Sequence, residues 1–175
     1  LSILQEWLTQ ANRAVYDIAE GRAGTTLTLL TNVFHQDKDQ LVVANVGDSR
    51  TYRYRANDEA FIQLTQDHSA VAEMVRLGQL TAEEAREHPA RNVITRAVGS
   101  SLRLLADVVL LEAEVGDRFL LCTDGLTGEV EDQEIGLVLA SASSVQDAAD
   151  QLVELGLETD GSDNITVLVA EVTEQ

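Results

Sequence analysis

The run Gly116-Asp117-Arg118-Phe119-Leu120-Leu121-Cys122-Thr123-Asp124-Gly125-Leu126 sets a short, unbroken apolar core, Phe119 to Cys122, between two turns that each join an aspartate to a glycine. An apolar run this short, bounded by turn residues, reads as a strand covered on both faces rather than half exposed. The same signature recurs at Leu41 to Ala44 and at Ile165 to Ala170. Strands of this kind need cover on both sides, which predicts an α+β fold: a sandwich of antiparallel sheets with helices outside.

The rest of the chain fits around that stretch. Upstream, Thr25 to Phe34, Leu41 to Val46, Ser49 to Arg55 and Phe61 to Leu64 alternate with turns at His35 to Gln40, Gly47 and Ala56 to Glu59, the pattern of short antiparallel strands. Leu4, Trp7, Leu8, Ala11, Val15, Ile18 and Ala19 recur at three-four spacing and predict one helix face over Leu1 to Glu20, stopped by Gly21. The segment Gln66 to Gly99 breaks the strand pattern. Val71, Met74 and Val75 predict a short helix ending at Gly78, and Thr81 with Glu84 forms a capping box for another before Pro89. After a strand at Asp107 to Leu111, helices are predicted over Asp132 to Ala140 and from Ser144 to Leu155, with Gly156 as the stop and a last strand at Ile165 to Val172.

Composition narrows the function classes. A chain of 175 residues and 19.0 kDa suits a single domain, and 45% apolar content is enough for a core. Thirty acidic residues against twelve basic ones give a formal charge of -18, so phosphate backbones and anionic lipid are repelled; neither nucleic acid nor a membrane is an expected partner. No run approaches the apolar length of a membrane span, no secretory leader is evident, and the lone Cys122 reads as a small buried hydrophobe, so a soluble, cytoplasmic protein is expected. The chain opens at Leu1 with a helical pattern already under way, and its only methionine is Met74. An upstream segment is therefore expected to be missing.

Chemistry concentrates in three aspartates. Asp48 in Gly47-Asp48-Ser49-Arg50, Asp124 in Thr123-Asp124-Gly125 and Asp163 in Gly161-Ser162-Asp163-Asn164 each lie in a glycine-containing turn at a strand end. Asp48 and Asp124 follow strands and Asp163 precedes one, so antiparallel strands can present all three at one edge. Clustered carboxylates repel unless a cation balances them, and hard divalent ions such as Mg²⁺ and Mn²⁺ prefer oxygen ligands. Each aspartate taken singly is equally at home as a turn residue, the role assigned to Asp117 and Asp160. There is no nucleophile elbow, phosphate-binding Gly-Lys loop or paired-histidine metal motif; His35 and His88 read as solvent-facing and His68 as structural.

The order of the pieces is more specific than any one of them. Gly24-Thr25-Thr26, Val43 to Arg50, Leu64-Thr65-Gln66-Asp67-His68-Ser69, Asn92-Val93-Ile94-Thr95-Arg96-Ala97-Val98-Gly99, Gly116 to Leu126 and Asp163-Asn164-Ile165-Thr166-Val167 follow one another from about Ala11 to Val172. Together they resemble the metal-dependent protein serine/threonine phosphatases of type 2C, particularly their compact bacterial members. The resemblance implies a four-layer α-β-β-α sandwich lacking its N-terminal strands, a single domain over residues 1–175, and a flap-like helical insertion at 66–99. It implies that Asp124 and Asp163 are ligands of a catalytic metal pair, that Asp48 joins Asp124 at a third metal, and that Asn164 and Gly125 adjoin the site. Mg²⁺ or Mn²⁺, two or three ions in the intact enzyme, phosphorylated proteins as partners and a monomer are the corresponding expectations. The family's bridging aspartate, its proposed general-acid histidine and its phosphate-gripping arginine have no counterpart here and are expected upstream of Leu1, which also predicts an open sheet edge. The two readings are thus hydrolysis of phosphoserine and phosphothreonine monoesters in the intact protein, or a non-catalytic phosphatase-like binding module.

Overall fold

The structure is a computed structural model that describes residues 2–158 and 163–174. The elements follow one another as α1 (Ser2–Ala19), β1 (Leu27–His35), β2 (Lys38–Val46), β3 (Arg50–Arg55), β4 (Ala60–Gln63), α2 (Ala70–Arg76), α3 (Ala82–Glu87), β5 (Asp107–Leu111), β6 (Arg118–Cys122), α4 (Asp124–Thr127), α5 (Asp132–Ser141), α6 (Val145–Leu157) and β7 (Val167–Glu171). The predicted α+β class holds: two antiparallel sheets are present, one of three strands in the order β1-β2-β5 and one of four in the order β4-β3-β6-β7.

The chain resolves into two compact units. One contains Leu1–Thr28, Ala44–Ser49 and Gln66–Val108; the other contains Leu29–Val43, Arg50–Thr65 and Val109–Gln175. In the first, α1 buries Leu4, Leu8 and Asn12, a stripe at four-residue spacing. Asn12 is the reason for that rotation. Its Oδ1 accepts from the Gly99 N–H at 2.7 Å and its Nδ2 donates to the Ser101 carbonyl at 2.9 Å. A buried amide left without those bonds is costly, so it outweighs the apolar periodicity. Trp7 and Ile18, predicted on the inner face, stand 63% and 87% exposed instead. Both short helices of the 66–99 segment are present. Ser69 Oγ caps α2 by accepting from the Ala72 N–H, and Thr81 and Glu84 form the predicted capping box on α3. Two isolated antiparallel bridges, Ser69 to Ile94 and Thr25 to Val98, tie the segment down within its unit.

The second unit is built on β6. That strand pairs antiparallel with β3, Tyr52 opposite Leu120, and with β7, Cys122 opposite Val167. Tyr52, Leu120, Cys122, Leu126, Ile135, Leu139 and Leu152 form its core, so the opening apolar run is the centre of the packing and Cys122 is a buried free thiol. Tyr52 stacks on Phe61 with ring centroids 5.1 Å apart, and its hydroxyl donates to Asp132 Oδ1 at 2.9 Å, anchoring β3 to the start of α5.

Other expectations change as well. Gly156 does not stop its helix: α6 runs to Leu157, and the glycine serves packing, because a Cβ there would sit 2.5 Å from Ile165 Cδ1. The last strand begins at Val167 and leaves Leu168 55% exposed, so β7 is not covered on both faces. Asp117 is more than a turn residue. It is 1% exposed, accepts from the Glu114 N–H at 2.8 Å and is ion-paired with the buried Arg53. His88 is half-buried, with Nδ1 accepting from the Ala90 N–H at 3.1 Å, rather than facing solvent. Asp160, read as a turn residue, lies outside the described residues.

Candidate functional site

Strand β6 ends at Cys122 and the chain turns at Thr123 into the single helical turn α4, which opens with Asp124. Thr123 occupies the N-cap position, but its hydroxyl does not cap the helix. It crosses to the chain entering β7, donating to the Asn164 carbonyl at 3.2 Å and accepting from the Thr166 N–H at 3.0 Å. The Thr123 N–H adds a bond to the Thr166 carbonyl at 3.1 Å, which carries the β6–β7 pairing one step past Cys122. Gly125 completes the contact. A Cβ at this position would lie 2.4 Å from the Asn164 oxygen and 2.9 Å from its carbonyl carbon, so only glycine lets the two backbones approach this closely.

The residues on either side of this seam are Asp124 and Asp163. Asp124 is half-buried, and among the described residues no hydrogen bond or ion pair is made to its carboxylate. Asp163 is exposed and accepts through Oδ1 from the N–H of Asn164 at 2.7 Å. Their neighbours are therefore held in backbone contact from opposite strands of one sheet.

Asp48 lies in the other unit, in the turn after β2. Gly47 there has a φ of 104°, and a Cβ would meet Thr26 Cγ2 at 2.4 Å, so the turn demands glycine. The turn is held by His68, which is 5% exposed: its Nδ1 accepts from the Gly47 N–H at 3.1 Å, and its own N–H donates to the Gly47 carbonyl at 2.9 Å. Its Nε2 faces Asp107 Oδ2 at 3.2 Å and Arg96 Nη1 at 3.1 Å. Arg96 reaches Asp107 Oδ1 at 2.8 Å. Partial burial raises the Asp107 carboxyl, but hydrogen bonds from His68 and Arg96 and the charge of the Arg96 guanidinium outweigh it and hold the group below the usual carboxylate range. The structural reading of His68 fits this geometry. Its partners Gly47, Arg96 and Asp107 are scattered along the chain, so no local pattern reports them.

The donor chemistry fits a hard divalent cation. Asp124 and Asp163 offer only carboxylate oxygens, and Mg²⁺ in particular is commonly held by one or two carboxylates with water completing its shell. Among the described residues no group of three or more His, Cys, Asp or Glu side chains converges on a cation position. No described helix is long and apolar enough to cross a membrane.

A four-stranded sheet whose adjacent strand ends bring an Asp-Gly turn against the Asn164 backbone, with helices alongside, defines an α+β protein. The chain belongs to the protein phosphatase 2C family, whose profile matches residues 3–165. It is 35% identical over 171 residues to the serine/threonine phosphatase stp of Listeria innocua, a match covering 96% of this chain and 66% of that relative. The crystal structure of the serine/threonine phosphatase Stp1 from Staphylococcus aureus superposes with a TM-score of 0.86 at 34% identity, covering 99% of this chain and 68% of that one. The catalytic domain of the phosphatase PstP, in complex with two manganese ions, superposes with a TM-score of 0.78 at 34% identity, covering 93% and 67%. The chain thus spans about two thirds of the length of the relatives it matches.

Proposed function

We propose that the full gene product hydrolyses phosphoserine and phosphothreonine monoesters in proteins, and that Asp124 and Asp163 hold the cations on which the reaction depends, with Asp48 contributing at a further ion. The observation that carries the reading is the seam itself: Thr123, Gly125 and Asn164 fix the neighbours of the two carboxylates in backbone contact, in a chain of the protein phosphatase 2C family. When bound, Mg²⁺ or Mn²⁺ acidifies water and neutralises charge on phosphoryl oxygens, the help that a phosphate monoester needs most. The protein's part is positional. Asp124 supplies a carboxylate with no competing hydrogen bond among the described residues, Asp163 supplies one whose Oδ1 is oriented by the Asn164 N–H, and Gly125 keeps the two turns close. His68 and the Gly47 turn hold the backbone that carries Asp48. The segment 66–99 acts as a flap over substrate access, within a single phosphatase domain, and the substrates are phosphorylated cytoplasmic proteins.

The test is hydrolysis of a small aryl phosphate and of a phosphothreonine peptide by the full gene product, with Mn²⁺, with Mg²⁺ and with chelator. Turnover that needs the cation and is lost in Asp124→Asn supports the reading. Absence of cation-dependent turnover on both substrates by a folded protein would overturn it.

A further inference from the structure

A threonine at a helix N-cap ordinarily accepts a hydrogen bond from the second or third N–H of its own helix. Thr123 forgoes that bond although it stands at the N-cap of α4. Its hydroxyl is instead spent across the sheet, donating to the Asn164 carbonyl and accepting from the Thr166 N–H, while its backbone N–H bonds the Thr166 carbonyl. Thr123 immediately precedes Asp124, and Asn164 immediately follows Asp163. One hydroxyl is therefore bonded between the chain neighbours of both carboxylates, and the Asn164 carbonyl it engages is the group that lies against Gly125. The ladder alone does not demand this: the Thr123 N–H carries the pairing one rung past Cys122 and Val167, and at that rung the Thr166 N–H donates to the Thr123 hydroxyl.

We propose that Thr123 is a positioning residue of the site: its hydroxyl sets the separation and orientation of the Asp124 and Asp163 carboxylates and thereby the affinity of the site for a divalent cation. This rests on the reading that those carboxylates hold the cation. Groups that orient metal ligands without touching the metal typically change affinity roughly 10–100-fold when removed, so a single lost hydroxyl is assigned the lower part of that range. Valine matches threonine in shape and lacks the oxygen, whereas serine keeps the oxygen and loses the methyl.

The experiment compares Thr123→Val, Thr123→Ser and the unaltered full gene product by Mn²⁺ titration calorimetry, with hydrogen exchange of the Thr166 amide followed in the absence of metal. The expected result is Mn²⁺ binding weakened roughly tenfold in Thr123→Val and restored to within about threefold by Thr123→Ser, with faster Thr166 exchange in the valine variant alone and an unchanged far-ultraviolet circular dichroism spectrum. Native Mn²⁺ affinity in a valine variant whose Thr166 amide has lost protection would overturn the role assigned to Thr123 while leaving the cation site standing. Equal weakening in the serine and valine variants would overturn it too, because the oxygen would then not be the cause. Absence of Mn²⁺ binding by the unaltered protein would instead overturn the cation reading on which the role depends.

Discussion

Replacing Gly125 by alanine sets two opposed effects against each other, and the structure decides between them. Gly125 sits on helical backbone in α4, where alanine is favoured over glycine by roughly 0.5–1 kcal/mol. Were the position open, Gly125→Ala would stabilise the protein. It is not open: the added Cβ would fall 2.4 Å from the Asn164 oxygen, while ordinary van der Waals contact begins at 3.4 Å. The obstruction is main chain, so no rotamer change clears it, and one of the two turns must retreat by about 1 Å at a cost of about 1–3 kcal/mol. The net change is destabilising by up to about 2.5 kcal/mol, a fall in Tm of up to roughly 10 °C for a chain of this size. The functional loss is larger, because the turns that part are those carrying Asp124 and Asp163, and a 1 Å misplacement of reacting groups costs on the order of 100-fold in rate. Thermal melts followed by circular dichroism and cation-dependent turnover of a phosphothreonine peptide measure the two numbers in the full gene product. A Tm that is unchanged or raised, together with native turnover, would refute the crowding argument. A lowered Tm with native turnover would separate the seam from the chemistry.

Other substitutions test other links. Asp124→Asn should leave the melt within about 1 °C of native, since the group is half-buried and among the described residues takes no hydrogen bond, while cation-dependent turnover disappears; a large loss of stability would return Asp124 to a purely structural role. Arg53→Ala leaves the buried Asp117 carboxylate uncompensated and should cost about 3–5 kcal/mol, read as a shift in the urea midpoint; a change under about 1 kcal/mol would show that the pair does not organise the turn that leads into β6. His68→Ala strands the buried Gly47 N–H at a cost of about 1–3 kcal/mol, to be checked the same way. Asp107 is held below its ordinary range in the folded protein, as partial burial is outweighed by His68 and Arg96, so its stabilisation is present above the unfolded value of about 4 and is lost as pH falls through the lower folded value. The Tm difference between native protein and Asp107→Asn should accordingly be constant above about pH 5 and shrink below about pH 4; a difference independent of pH would exclude the carboxylate as its source.

What was legible in the sequence was whatever depended on neighbours along the chain. The apolar run Phe119 to Cys122 and the capping box of Thr81 and Glu84 are local patterns, and each is present as expected, whereas the Asp-Gly turn expected at Asp124 is the first turn of the short helix α4. What was illegible depended on residues far apart. On α1 Leu4 and Leu8 face inward as the periodicity predicts, but Trp7 and Ile18 do not, and Asn12 turns inward to bond Gly99 and Ser101, partners that no periodicity reports. Asp117 resembled other turn aspartates because its guanidinium partner lies on β3. Gly156 resembled a helix stop because sequence does not reveal that Ile165 packs against it. At the candidate site, motif order points to the carboxylates, whereas the Thr123 hydroxyl that links their neighbours depends on Asn164 and Thr166, some forty residues away along the chain.

The outward turn of Trp7 has a practical side. It is the only tryptophan in the sequence and stands well exposed on α1, whereas the packed aromatic pair Tyr52 and Phe61 belongs to the β6-centred unit. Intrinsic tryptophan emission is therefore a beacon on one helix, already red-shifted in the native protein, and the loss of the β6 core can pass beneath it almost unseen. Near-ultraviolet dichroism of the buried tyrosine is the signal that follows that core, and a mismatch between the two optical transitions would be a direct readout of whether the units come apart separately.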